Sequence, residues 1–290
     1  MSDTPSPTAL IRYETPAPGV ARIMLARADK YNAINPEMIF QANDAFNRAL
    51  ADNAIKVIIL GADGKHFSAG HDIADTVEQY QAAAAAGNRQ IGHWSDFQAE
   101  GTHGWYAAEK EVYFESAKRW RNLSKPTICT VQGKCIAGAL IFPWVCDIII
   151  AAADAVFSDP VMTFGMPAVE WFAHPWELGA RKAKEFLFTA DSWTAEEAHR
   201  LGMVNHVVAR DELDGFALAM AAKIAAKPAF ALKLAKEAVN KTLDIQGQAN
   251  ALDAAFYLHH LGHSHNFRVF GWGMDPTNVP GLASVPKKPA

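Results

Sequence analysis

Two short segments hold the residues with the clearest chemical meaning, GKHFSAGHDI (64–73) and QGKCIAGALIF (132–142). Each places small residues after a β-rich run and ahead of a stretch that reads as a helix. Small residues at such a turn let the backbone approach a ligand closely, and the first helical turn leaves N–H groups unpaired and pointing outward. Two such turns side by side can aim two N–H groups at one carbonyl oxygen and stabilise the charge that develops on a thioester oxygen. A glycine beside a strand is also an ordinary tight connection, so either turn alone says little. Neither GxGxxG nor GxxxxGK[ST] occurs, which argues against nucleotide-binding folds of those two kinds.

Candidate acids and bases gather in VEWFAHPWELG (169–179). Glu170 and His174 are spaced i, i+4 and would share a face of a helix, although Pro175 argues against a long regular helix there. In one reading Glu170 is an acid or base that His174 orients or relays protons to. In the other, Glu170 is a solvated or capping residue and His174 is a satisfied partner among three aromatics. Asp159 offers another carboxylate, or caps the turn before Pro160. The segment from about 74 to 118 adds Glu109, Glu111, Glu115, His93 and His103 near Trp94, Trp105 and Trp120. It reads as a helical excursion, either a lid over a pocket or a surface hairpin without chemistry. His259, His260, His263 and His265 lie in HHLGHSH; without carboxylates or cysteines at ligand spacing, they read as a polar helix end rather than a metal site. Cys129, Cys135 and Cys146 are odd in number and form no CxxC, so they read as buried free thiols in a reducing compartment.

The elements that must position these groups follow from pattern. GVARIML (19–25) and KVIILG (56–61) read as strands, the second buried on both faces. Asn35-Pro36 opens a helix with an apolar face at Met38, Ala42, Ala45, Phe46 and Leu50. TICTVQG reads as a strand, KCIAGALIFPWVCD as a turn and helix, and IIIAAADAVF as one further buried strand. Residues 176–188 read as helical, Thr194 with Glu197 as a capping box, and LGMVNHVV as a turn and short strand. From Glu212 onward the chain reads as helical, broken at Lys227-Pro228. Strands with intervening helices imply an α/β core, and the tail a helical region.

The chain has 290 residues, half of them hydrophobic and a fifth charged, enough for one large domain or a core with an appended subdomain. A net charge of −4 offers no general attraction to nucleic acid or to an anionic membrane. No apolar run is long enough to span a bilayer. The opening MSDTPSPTAL lacks a secretory pattern and reads as a mobile leader, so a cytoplasmic location is expected.

Taken in order, ARIMLARADKYNAI, HFSAGHDI, KPTICTVQGKCIAGAL, CDIIIAAADAVFSDP and LFTADSWTAEEAHRLGMVNHVV closely resemble the crotonase (enoyl-CoA hydratase/isomerase) superfamily, from about Val20 to Val208. The resemblance implies an α/β spiral of ββα units with a C-terminal helical trimerisation region, the trimers often paired into hexamers. It divides the chain into an acyl-CoA-binding core over 1–208, with an insertion at about 74–118, and a helical region over 209–290. It implies an oxyanion hole from the N–H groups of His71 and Gly138; the His71 ring then either covers the site or takes part. Lys30 and Tyr31 would flank the CoA moiety, and Ala69, Asp72 and Ile73 would line the path to its adenine. No metal or redox cofactor is implied, since coenzyme A arrives with the substrate. The usual two glutamates of hydration are replaced by Ile141 and Val161, which cannot exchange a proton. Hydration or dehydration of an enoyl-CoA is the reaction that the resemblance implies. Double-bond isomerisation, another enolate-based conversion, and non-catalytic acyl-CoA binding stay open. Phe230, Leu234, Ala238, Leu252 and Phe256, at helical spacing, are the expected subunit-facing positions.

Overall fold

The computed structural model describes residues 9–72 and 90–277. Among the described residues, nine strands form two sheets: β1 (Ile11–Ala17), β2 (Val20–Leu25), β3 (Val57–Ala62), β4 (Thr127–Val131), β5 (Lys134–Ile136), β6 (Ile148–Ala152), β7 (Val156–Ser158), β8 (Trp193–Thr194) and β9 (His206–Val208). The larger sheet runs β1-β2-β3-β4-β6-β9, parallel except for β1 against β2, and the smaller runs β5-β7-β8. The chain alternates between them: β4 then β5, β6 then β7, with Ser68, just after β3, bridged to Cys135 of β5. This alternation is the spiral that the resemblance implies.

Period-two burial explains why β3 is apolar at consecutive positions. Ile58 and Leu60 face the main core, whereas Val57 and Ile59 face a second one, shared with Val20, Ile128, Ile150 and helix residues Leu213, Ala217 and Ala221. Helix α1 (Pro36–Ala51) covers the first face, and the Asn35 side chain accepts a hydrogen bond from the Met38 N–H as its cap.

The insertion departs from a surface hairpin. Residues 102–121 form one continuous helix, α2, made of Thr102–Glu109, a π turn at Lys110–Glu115 and Ser116–Arg121. Its central residues, from Ala107 to Phe114, are buried. Glu111 anchors the preceding loop by accepting from the N–H groups of Ile91, Gly92 and Trp94.

Short helices follow: α3 (Ile141–Trp144), α4 (His174–Leu178), α5 (Ala180–Thr189) and α6 (Ala195–Arg200). Three come last: α7 (Leu213–Ala225), α8 (Ala229–Ile245) and α9 (Gln248–Phe270). The helix expected over 176–188 is divided at Gly179, whose φ of 72° interrupts it. The single strand expected over IIIAAADAVF is two, because the chain crosses from one sheet to the other at Ala153-Asp154. β1 carries no alternation strong enough to be read from sequence.

The expected subunit-facing residues separate. Leu252 and Phe256 are in the chain's own core, whereas Phe230 and Leu234 stay exposed with Val239, Ile245, Tyr257, Leu258 and Leu261.

Candidate active site

The first glycine turn is held by a residue that pattern reading passed over. Asn32, fully buried and at φ 52°, donates through Nδ2 to the carbonyls of Asp63, His66 and Phe67, and its Oδ1 accepts from the Arg27 N–H. Ser68 Oγ donates to the Asn32 carbonyl and accepts from the Gly70 N–H. The only sequence signal for this hub is an Asn closing the turn ARADKYN.

Beyond Ser68 the backbone forms a parallel bridge with Ile34, whose N–H bonds the Gly70 carbonyl while Asp72 N–H bonds the Ile34 carbonyl. In that pattern the His71 N–H points away from Ile34. The other side is where the second turn lies, since Ser68 N–H donates to the Lys134 carbonyl and Ile136 N–H to the Ser68 carbonyl. Gly70 sits at φ 89°, and a Cβ there would come within 2.7 Å of the Ile136 carbonyl oxygen and 3.5 Å of the Gly138 nitrogen. Only glycine permits so close an approach in that conformation. Gly138 is the second residue of the 3-10 turn Ala137–Leu140, so its N–H lies ahead of the first internal bond. The two turns are therefore packed closely against each other.

The His71 ring lies on Gly138: a Cβ on that glycine would meet Nε2 at 2.5 Å. Tyr113 of α2 packs edge-on against it at 4.4 Å. Nε2 is also 2.8 Å from Glu170 Oε1, an ion pair rather than an aligned hydrogen bond, since Nε2 has no acceptor in hydrogen-bond geometry. The His71 side chain is 30 % exposed and that of Glu170 only 4 %. Glu170 Oε2 is buried without a partner. Burial opposes charge on His71, but the neighbouring Glu170 carboxylate, helped by Glu109, outweighs it and raises the imidazole above its ordinary range. Burial likewise pushes Glu170 up, and the His71 charge and contact more than reverse it, so Glu170 is held below the usual carboxylate range. Both shifts favour the charged forms, imidazolium and carboxylate.

Glu170 and His174 do not share a helix, because α4 begins only at His174. The His174 Nε2 is instead 2.9 Å from Asp159, and both are fully buried. Asp159 also accepts from the N–H groups of Val161 and Val169. Ile141 and Val161 are buried and apolar. Of the residues thought to flank coenzyme A, Lys30, Tyr31 and Ala69 are exposed, and Tyr31 accepts through its carbonyl from the Ala69 N–H. Asp72 is paired with Arg27 at 2.7 Å. Ile73 lies outside the described residues.

The histidine tract is not a polar helix end. His259, His260 and His263 are buried on α9 and converge on Glu109 of α2, while His265 is exposed. The carboxylate that local sequence lacked comes from the insertion.

Residues 15–100 and 94–274 match the family described as enoyl-CoA hydratase/isomerase. A Mycobacterium smegmatis crystal structure described as an enoyl-CoA hydratase superposes with a TM-score of 0.82 at 45% identity, covering 92% of this chain and 98% of that one. The chain belongs to the enoyl-CoA hydratase/isomerase family. A Mycobacterium tuberculosis relative named as an enoyl-CoA hydratase, EchA13, is 41% identical over 90% of this chain and 83% of its own. Another from that organism, 31% identical over 81% of this chain and 86% of its own, is named (7aS)-7a-methyl-1,5-dioxo-2,3,5,6,7,7a-hexahydro-1H-indene-carboxyl-CoA hydrolase. This family member is thus an enoyl-CoA hydratase-like, acyl-CoA-processing enzyme.

Proposed function

We propose that this protein adds water to a 2-enoyl-CoA, or removes it from the 3-hydroxyacyl-CoA, with His71 and Glu170 in place of the two glutamates. The observation that carries the reading is the 2.8 Å His71–Glu170 pair lying on Gly138. The thioester oxygen accepts from the N–H groups of His71 and Gly138, so enolate charge is stabilised where it forms. Glu170 takes a proton from water as the oxygen bonds to Cβ and the π electrons move to the thioester oxygen. His71, protonated, delivers the proton to Cα, and the proton on Glu170 restores it. Two titratable groups with pKa values pushed apart supply base and acid.

Coenzyme A enters as part of the substrate, and the reaction itself calls on no redox cofactor. Lys30, Tyr31, Ala69 and Asp72 form its rim in this reading, and the chain divides near Val208 into core and helical region. The exposed apolar residues of α8 and α9 support a homotrimer or hexamer. Among the described residues no single helix is long and apolar enough to cross a membrane, which fits a cytoplasmic setting. A second reading, double-bond isomerisation, is favoured by the apolar Ile141 and Val161, because moving one proton needs one base. Incubation with 2-enoyl-CoAs of graded length and mass spectrometry of the products tests the choice. Water addition is expected, slow on crotonyl-CoA; a shifted double bond without mass change would replace hydration by isomerisation.

A further inference from the structure

Behind Glu170, a second cluster of buried titratable groups takes no part in that chemistry. Glu109 closes the first section of α2, immediately before the π turn, and π turns inside helices are frequent at functional sites. His259, His260 and His263 reach it from α9, with Nε2 atoms 3.5, 2.9 and 3.7 Å from Glu109 Oε2. The Nε2 atoms of His259 and His263 are 3.0 Å apart.

The other ring nitrogens settle what those Nε2 atoms are. His259 Nδ1 is 2.7 Å from the Ala168 carbonyl and His263 Nδ1 2.6 Å from that of Gly273. A carbonyl oxygen only accepts, so both Nδ1 atoms carry hydrogen. In their neutral forms, both imidazoles therefore turn Nε2 lone pairs toward each other and toward a carboxylate. Such a set is stable only with a positive centre among its members, and backbone-fixed imidazoles of this kind are the usual outer support of metal ligands.

We propose that Glu109, His259 and His263 form a site for a divalent transition-metal ion of the zinc class, with His260, whose Nε2 is 2.9 Å from Glu109 Oε2, as an outer neighbour. The three ligand atoms are separated by 3.0, 3.5 and 3.7 Å. These edges bracket the about 3.4 Å between two ligands that each lie 2.0–2.1 Å from a tetrahedral zinc ion. Two imidazole nitrogens and one carboxylate oxygen suit zinc, and also iron(II) or cobalt(II), better than calcium or magnesium. Trp105 packs on His263 and Tyr106 on His260, which closes the site with aromatic rings. The ion clamps the insertion helix to the C-terminal helix and, through the His259–Ala168 bond, steadies the segment that carries Glu170.

The full chain, without a polyhistidine tag and stripped by a chelator, is titrated with zinc against a chromogenic chelator, and separately with cobalt(II) followed by visible absorption. One equivalent per chain with a tetrahedral cobalt band is expected. His263→Asn should weaken binding by more than about 100-fold, while His265→Asn, on the exposed face of the same helix, should leave it unchanged. Zinc should also raise the melting temperature of the wild-type protein, a readout that stands even where His263→Asn does not fold. Binding of less than one equivalent, equal affinity in His263→Asn, or a melting temperature indifferent to zinc would overturn the site. A proton would then be the positive centre between the two rings.

Discussion

Two histidine–carboxylate pairs draw on the 159–174 segment and differ in what their carboxylates meet. Asp159 and His174 meet at 2.9 Å with neither side chain exposed, and Asp159 also takes two backbone N–H groups. Its negative charge is fully engaged in tying the Val161 turn to the Val169 segment. His71 and Glu170 meet at 2.8 Å, yet the ring is partly open and one Glu170 oxygen has no partner. Satisfied groups hold a fold together, whereas a costly unsatisfied one is retained where it has something else to meet. Distance alone does not distinguish the pairs; the carboxylates do, since both Asp159 oxygens are engaged and one Glu170 oxygen is not, while His174 Nδ1 is also without a partner.

The largest effect should come from removing the open pair's charge. Glu170→Gln keeps the shape of the side chain and removes the proposed base, so kcat should fall by about 10²- to 10⁴-fold with little change in substrate affinity. Melting should shift only modestly. A variant that turns over at the wild-type rate would move the chemistry elsewhere, and Glu177 on α4 would be the next carboxylate to test.

Removing the closed pair's charge should do the reverse. Asp159→Ala leaves two buried N–H groups and a buried imidazole without their acceptor, and should cost about 3–5 kcal/mol of stability. The fraction that remains folded should keep most of its turnover. If stability is unchanged while kcat collapses, Asp159 belongs to the catalytic groups and the contrast between the two pairs fails.

A pH experiment sharpens the contrast. The raised His71 pKa means that the pair's stabilisation is present at low to neutral pH and is lost as pH rises through that raised value. The depressed Glu170 pKa means that it is present above the ordinary carboxylate range and is lost as pH falls through the depressed value. The ion pair therefore spans a window wider than the ordinary gap between carboxylate and imidazole. In Glu170→Gln the burial remains and the largest raising influence is gone, so His71 should titrate at lower pH than in the wild type. Its ring signals, followed by NMR across pH, report this directly. An unshifted His71 would mean that Glu109, and not Glu170, governs its charge.

Much of the frame could be read from sequence because it is written locally. Buried β-branched runs marked β2, β3 and β4, Asn35-Pro36 marked the start of α1, and the small residues of HFSAG and CIAG marked the two turns. What escaped reading depends on residues far apart in the chain. Glu170 was a candidate, but its partner His71 comes from another turn of the spiral, and helical spacing pointed to His174 instead. The histidine tract looked like a polar helix end because the carboxylate it needs, Glu109, is supplied by the insertion, and the insertion had no pattern to reveal that its middle is core. Asn32 carries four hydrogen bonds that no spacing rule foresees.

The smallest expected effect concerns a carboxyl that belongs to neither pair. Glu177 on α4 has its pKa raised to about 7, and burial is the cause. The unfolded chain ionises this group at about 4.3. The raised folded value means that its contribution to stability is full below that unfolded pKa and is lost as pH rises through about 7. The residue is only partly buried in the single chain, so solvent screening reduces the penalty well below what the shift alone implies. Glu177→Gln should accordingly stabilise the protein by about 1 kcal/mol at pH 8, where the wild-type carboxylate is charged, and by almost nothing at pH 4. Denaturant unfolding of both proteins at the two pH values measures the difference. Equal stabilisation at both would assign the gain to packing. A loss at pH 8 would show that the ionised carboxylate is held by a cation, which would place Glu177 with the satisfied Asp159 and not among groups left free to titrate.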